Sequence, residues 1–125
     1  MRSLNKVFLL GRVGQNPELQ TAKSGQQYTK LSIATQRSWK NQEGKWQEAS
    51  DWHSVMVWGS QAKLCVEGIE KGSLVFVEGV ITTYSASDSE GQKELKQSIS
   101  GHRVSFFTTK ARKVFQERLP ELDTA

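Results

Sequence analysis

The stretch Asp51-Trp52-His53-Ser54-Val55-Met56-Val57-Trp58-Gly59 constrains this chain more than any other. Side chains alternate sides along an extended strand, so Trp52, Ser54, Met56 and Trp58 share one face and His53, Val55 and Val57 the other. Both faces therefore carry apolar groups. A sheet with one wet side keeps its large residues inward, yet here two valines suffice for a core and two indoles lie opposite them. Two explanations fit. Either the strand is covered on both faces, by core or by a partner subunit, as most large aromatics in globular domains are. Or the indoles stand exposed between basic side chains as a stacking platform for single-stranded nucleic acid, where each stacked base contributes ~1–3 kcal/mol whatever its identity.

The 125 residues suit one domain with a modest core, and a formal charge of +4 suits a polyanion without requiring one. Four tryptophans are many for this length. The single cysteine, Cys65, excludes an intrachain disulfide and points to a reducing compartment. No stretch is long and apolar enough to span a membrane, and the first residues run into a strand pattern without an apolar signal core. The expectation is a soluble cytoplasmic, nucleoid-associated protein with no membrane partner.

Residues 4–13 are dense in β-branched and aromatic side chains and read as a strand, with Gly11 where a bulge or bend would sit; Lys6 and Arg12 share a face of it. Residues 14–25, with Asn16-Pro17, read as a turn-rich loop. Residues 28–37 alternate, Leu31 and Ile33 against Lys30, Ser32 and Ala34, and form a second strand. Residues 40–45, flanked by Trp39 and Trp46, read as a flexible hairpin tip before the organising strand. The period then changes. Over 60–71, Ala62, Cys65, Val66 and Ile69 recur at helical spacing, with Ser60 placed to cap the start and Gly72 the end. Residues 74–83 are again a strand interrupted by Gly79, residues 85–92 a polar loop, and residues 95–109 a last strand bent at Gly101. Three strands, one short helix and two strands are the order of an all-β, five-stranded, partly open Greek-key barrel with the helix between strands three and four. Residues 110–125 run from basic to weakly acidic and read as a short tail beyond a domain of residues 1–109.

Catalytic chemistry finds little support. Two histidines, His53 and His102, and one cysteine offer no metal-ligand spacing, and no Gly-rich phosphate loop ends in Lys-Ser or Lys-Thr. The carboxylates are scattered among loops and turns. No enzyme and no cofactor is expected.

The motifs Asn5-Lys6-Val7 leading to Gly11, Gly14-Gln15-Asn16-Pro17-Glu18, Ala34-Thr35-Gln36-Arg37-Ser38-Trp39, Asp51-Trp52-His53 with Trp58-Gly59, and Lys71-Gly72-Ser73-Leu74-Val75-Phe76-Val77-Glu78-Gly79 stand in order at compatible spacing. Together they make the chain resemble the bacterial single-stranded DNA-binding proteins, from Leu4 to about Thr108. The resemblance implies an OB-fold, usually a homotetramer, that coats single-stranded DNA without sequence preference during replication, recombination and repair. By position it implies base stacking on Trp39, Trp52 and Trp58, phosphate contacts near Lys6 and Arg37, and subunit-interface roles for His53 and Val7. Arg12, Lys40, Lys63, Lys93 and Lys96 join the expected cationic set. Where the family places an aromatic near the loop after the fourth strand this chain has Ala86, and Tyr84, two residues earlier on the same face, is expected to take its place. Ser60 and Glu70 stand where basic residues are common in the family, so phosphate contacts are expected to be redistributed or fewer. Family members continue through a flexible linker to an acidic tip that recruits partner proteins; this sequence stops at Ala125, and weak or no binding to tail-dependent partners is expected. A second reading is an OB-fold assembly module that mainly bridges proteins, although such a surface need not keep three indoles.

Overall fold

The computed structural model describes residues 2–107; the expected tail, 110–125, and the last residues of the expected domain, 108 and 109, lie outside the described residues. The elements are β1 (Val7–Val13), β2 (Gln20–Thr21), β3 (Gln27–Lys40), β4 (Trp46–Trp58), α1 (Ser60–Gly68), β5 (Leu74–Ser87) and β6 (Lys93–Phe107). Five of the strands close on themselves. β5 lies between β1 and β6, β4 between β6 and β3, and β3 returns to β1 through Arg12↔Ala34 and Val13↔Ile33. The seam between β4 and β6 is parallel and holds at only two positions, Val55↔Ile99 and Met56↔Ser100. This is the expected OB barrel. The short β2, inside the segment expected to be loop, adds a two-residue flap to the free side of β3.

Alternation builds the core. Leu31 and Ile33 of β3, Val55 and Val57 of β4, and Val75 and Val77 of β5 all point inward and are essentially inaccessible to water. Burying a side chain of this size contributes about 1.5–3 kcal/mol. Ala62 and Cys65 of α1, with Ile69 just beyond it, close one end of the barrel; burial pushes the Cys65 thiol up to about 11, so it packs as an apolar residue. Gly11 and Gly79 mark close approaches of backbone to backbone. A Cβ at Gly11 would lie 2.2 Å from the Ala34 carbonyl oxygen, and one at Gly79 would lie 2.1 Å from that of Ser100. At Gly79 the ladder also slips: Glu78 faces Arg103 and Gly79 faces Gly101, so His102 bulges out beside the expected bend.

Several boundaries differ from the sequence expectation, each for a local reason. β1 starts at Val7 because the Asn5 side chain replaces a ladder position, donating from Nδ2 to the Ile81 carbonyl at 2.7 Å and accepting from its N–H at 2.9 Å. The strands β3, β4 and β5 run further than expected because side chains close the two hairpin tips compactly. Asn41 Oδ1 accepts from the N–H groups of Glu43 and Lys45, and Asp88 Oδ1 accepts from those of Glu90 and Gln92. The helix is shorter. Gly59, with φ of 72°, is the N-cap in place of Ser60, and α1 ends at Gly68 rather than running to Lys71. Its last turn presses on Phe106 so closely that a Cβ at Gly68 would meet the ring, and the chain then extends so that Ile69 enters the core.

Candidate nucleic-acid interface

Residues directly opposite in a ladder share a face, so the β3–β4 register sorts the side chains. Tyr28, Lys30, Ser32 and Ala34 stand opposite Trp58, Met56, Ser54 and Trp52. Because Val55 and Val57, on the other face of β4, fill the core, this set is the outer wall of the barrel. The indoles are therefore exposed: Trp52 by 60% and Trp58 by 40%. Of the two explanations open at the level of sequence, burial on both faces of the strand is excluded within this chain.

Each ring is held by a neighbour. Trp58 leans on Tyr28, with ring centroids 4.9 Å apart and planes inclined by 36°. Trp52 lies across Gly14, where a Cβ would come within 2.4 Å of the indole, so glycine there provides the seat. Between the two indoles, Lys30, Ser54 and Met56 join Tyr84 of β5 and Ser98 of β6 around a shallow groove of about 300 Å³. Tyr84 thus sits across the groove from β4, and Lys96, its ladder partner, shares its face. Lys30 and Tyr28 were not among the expected site residues. Their parity with Met56 and Trp58 depends on cross-strand register, which the sequence of one strand does not state.

Beyond the barrel β3 and β4 continue together as an arm. Trp39, 41% exposed, stands opposite Gln47 on the other face of that arm from Trp52 and Trp58. The Arg37 guanidinium lies 5.0 Å above its ring and is held by Asp51, Nε to Oδ2 2.9 Å. At the tip, Lys40 pairs with Trp46, its ammonium 5.3 Å from the indole centroid.

The remaining expected cations are dispersed. Lys6 is bound to Glu78 at 2.8 Å on the β1–β5 wall, and its hydrogen bond, reinforced by its charge, holds the Glu78 carboxyl below its ordinary pKa. Arg12 shares that wall and donates from Nη1 to the Gly72 carbonyl at 3.1 Å. Lys63 is on the exposed side of α1. Lys93, opposite Ser87, falls on the other face of the β5–β6 arm from Lys96. His53 faces the barrel interior near its open end, bonded to Thr35 Oγ1 through Nε2 at 2.8 Å. With Val7, Leu9, Ile81 and Ile99 it lines a cavity of about 350 Å³. The two residues expected at a subunit interface thus share one cavity, beside a stretch of β1 that pairs with β5 but meets β3 only from Arg12 onward.

Among the described residues, no group of histidine, cysteine and carboxylate side chains could hold a metal ion, and no helix is long and apolar enough to cross a membrane. Comparison with known proteins agrees with the geometry. A Chlorobaculum tepidum protein, "Single-stranded DNA-binding protein 1", is 36% identical over 99 residues, 78% of this chain and 61% of its own length. The chain thus spans less than two thirds of that relative. Among solved structures, the Plasmodium falciparum SSB in complex with ssDNA superposes with a TM-score of 0.77 at 26% identity, covering 86% of this chain and 98% of that one. A deletion mutant of the single-stranded DNA binding protein from Thermus aquaticus gives 0.73 at 25% identity, over 86% of this chain and 52% of that one. Residues 4–107 match the single-strand binding protein family, and the chain therefore belongs to that family.

Proposed function

We propose that this protein binds and protects single-stranded DNA without regard to sequence, in replication, recombination and repair. The observation that carries the reading is the pair Trp52 and Trp58, held exposed on the solvent side of a strand whose opposite side is core. Bases stack on these indoles and on Tyr84, and the phosphates pass Lys30, Lys96 and Lys40. A strand that bends round the β3–β4 arm reaches Trp39, whose ring Arg37 covers. Lys6, Arg12, Lys63 and Lys93 act at longer range, raising the local potential for a polyanion rather than grasping one phosphate.

The working form is a homo-oligomer, in the finer reading a tetramer. Two features support it: the half-open edge of β1 beside the Val7 and His53 cavity, and the exposed Phe8, Leu10 and Phe76 on the β1–β5 wall. Unpaired strand edges and contiguous apolar patches both mark surfaces that other chains cover.

The deciding experiment is a titration of tryptophan fluorescence with oligo-dT at low and high salt, beside a duplex of equal length. Saturable quenching by the single strand, weakened by salt and nearly absent with duplex, is the expected result. Unchanged fluorescence at low salt would transfer the indole wall to the protein-bridging reading.

A further inference from the structure

On β4 the indoles recur at every sixth position, Trp46, Trp52 and Trp58, and an even spacing along a strand puts all three on the outer wall. Successive rings are then ~20 Å apart, at about 3.3 Å of rise per residue. Trp46 is the most exposed indole of the chain, at 66%. It lies at the far end of the arm, and the cation of Lys40 stands 5.3 Å from its centroid.

A purely structural role for this ring is hard to find. The hairpin tip beneath it is already closed by Asn41, whose side-chain oxygen accepts two backbone N–H groups. No core residue lies on that part of the arm. The surroundings suit a polyanion approaching along its lysine side: Lys40 is its ladder partner and Lys45 its chain neighbour. The carboxylate of Glu48, two residues inward on the same face, repels a phosphate path directly between Trp46 and Trp52.

We propose that Trp46 is a further base-stacking post, steadied by Lys40, that engages single-stranded DNA only when the strand is long enough to continue from Trp58 and Trp52 onto the arm. This rests on the single-stranded DNA reading above and adds to it a site whose use depends on length. The cation covers one side of the indole and leaves the other for a base; cation and base together make the aromatic-plus-charge pairing that single-strand binders use.

The test compares Trp46→Ala and Trp46→Phe with the unaltered protein, using oligo-dT of about 5 and about 16 nucleotides, near the two ends of the range an OB-fold occupies. With the longer oligomer, Trp46→Ala weakens binding about tenfold and Trp46→Phe stays within about threefold, because a phenyl ring still stacks. With the shorter one neither variant changes affinity. Unchanged affinity of Trp46→Ala at both lengths, or an equal loss at both, overturns the proposal while quenching in the unaltered protein leaves the single-stranded DNA reading standing. Absence of quenching in the unaltered protein overturns both.

Discussion

Two outer walls of the same barrel carry exposed aromatic rings and come to opposite arrangements. On the β1–β5 wall the rings touch: Phe8 and Phe76 stack with centroids 6.1 Å apart and planes 20° from parallel, Leu10 adjoins them, and the nearby cation, Lys6, is neutralised by Glu78. On the β3–β4 wall Trp58 leans on Tyr28, but the two indoles, Trp52 and Trp58, are held apart by Ser54 and Met56, and Lys30 between them forms no ion pair with any described carboxylate. Rings already in contact present one continuous apolar patch, which a protein surface can cover. Rings held apart leave a gap that a flat base can enter, with a free cation beside it for the phosphate. The gap between the two indoles and the pairing state of the nearest cation therefore distinguish the walls, whereas aromatic content or ring contact alone does not.

The most damaging test of this contrast is to remove the separated rings. Trp52→Ala with Trp58→Ala is expected to weaken oligo-dT binding by about 2–6 kcal/mol, at 1–3 kcal/mol per stacked base, with little change in melting temperature because both rings are exposed. Binding retained by the double variant would mean that bases do not use this wall. Gly14→Ala reproduces part of the loss without altering either ring, since its Cβ intrudes on the seat of Trp52.

The contacting rings are tested by Phe8→Asp. Sedimentation should show that the proposed oligomer dissociates, with about 1.5–3 kcal/mol of burial lost for each ring, while a short oligonucleotide binds each protomer as before. Loss of DNA affinity at constant oligomeric state would reverse the assignment of the walls. A finer probe is Lys30→Ala, which should make the slope of log affinity against log salt shallower by ~0.7, one phosphate contact on a single strand. An unchanged slope removes Lys30 from the phosphate path.

The smallest effect concerns the neutralised cation. Lys6 holds the Glu78 carboxyl below its ordinary pKa, so the folded state binds this proton less readily than the unfolded chain. The resulting stabilisation is present above the unfolded carboxylate pKa and is lost as pH falls through the depressed folded value. Melting curves of the unaltered protein and Lys6→Ala should differ by a small constant at neutral pH and converge in acid. A gap that persists in acid would assign the effect to packing of the lysine stem on Phe8.

Much of this organisation was legible before any coordinates. The alternation around Val55 and Val57 identified the strand while leaving open whether both its faces are covered, the three-and-four spacing of Ala62, Cys65 and Ile69 identified the helix, and Gly11 and Gly79 marked interruptions in their strands. The cationic set was less legible. Lys6, Arg37 and Lys30 carry the same charge, yet the first two are tied to Glu78 and Asp51 and the third is not. Trp39 and Trp46 flank one loop in the sequence but fall on opposite faces of the arm, because they occupy ladder positions of different parity, Trp39↔Gln47 and Lys40↔Trp46.

The sequence by itself determined which side chains share a face of each strand, where the period changes from strand to helix, and that the indoles of β4 share one face, because these follow from geometry that repeats within a few residues. Only the tertiary structure decided which cations keep an unpaired charge, that Gly14 seats Trp52, that Tyr84 and Lys30 meet across one groove, and where β1 leaves an edge open. Those relations join residues far apart in the chain, and the closing of the barrel, with its slipped register at Gly79 and its two-residue parallel seam, sets them all together.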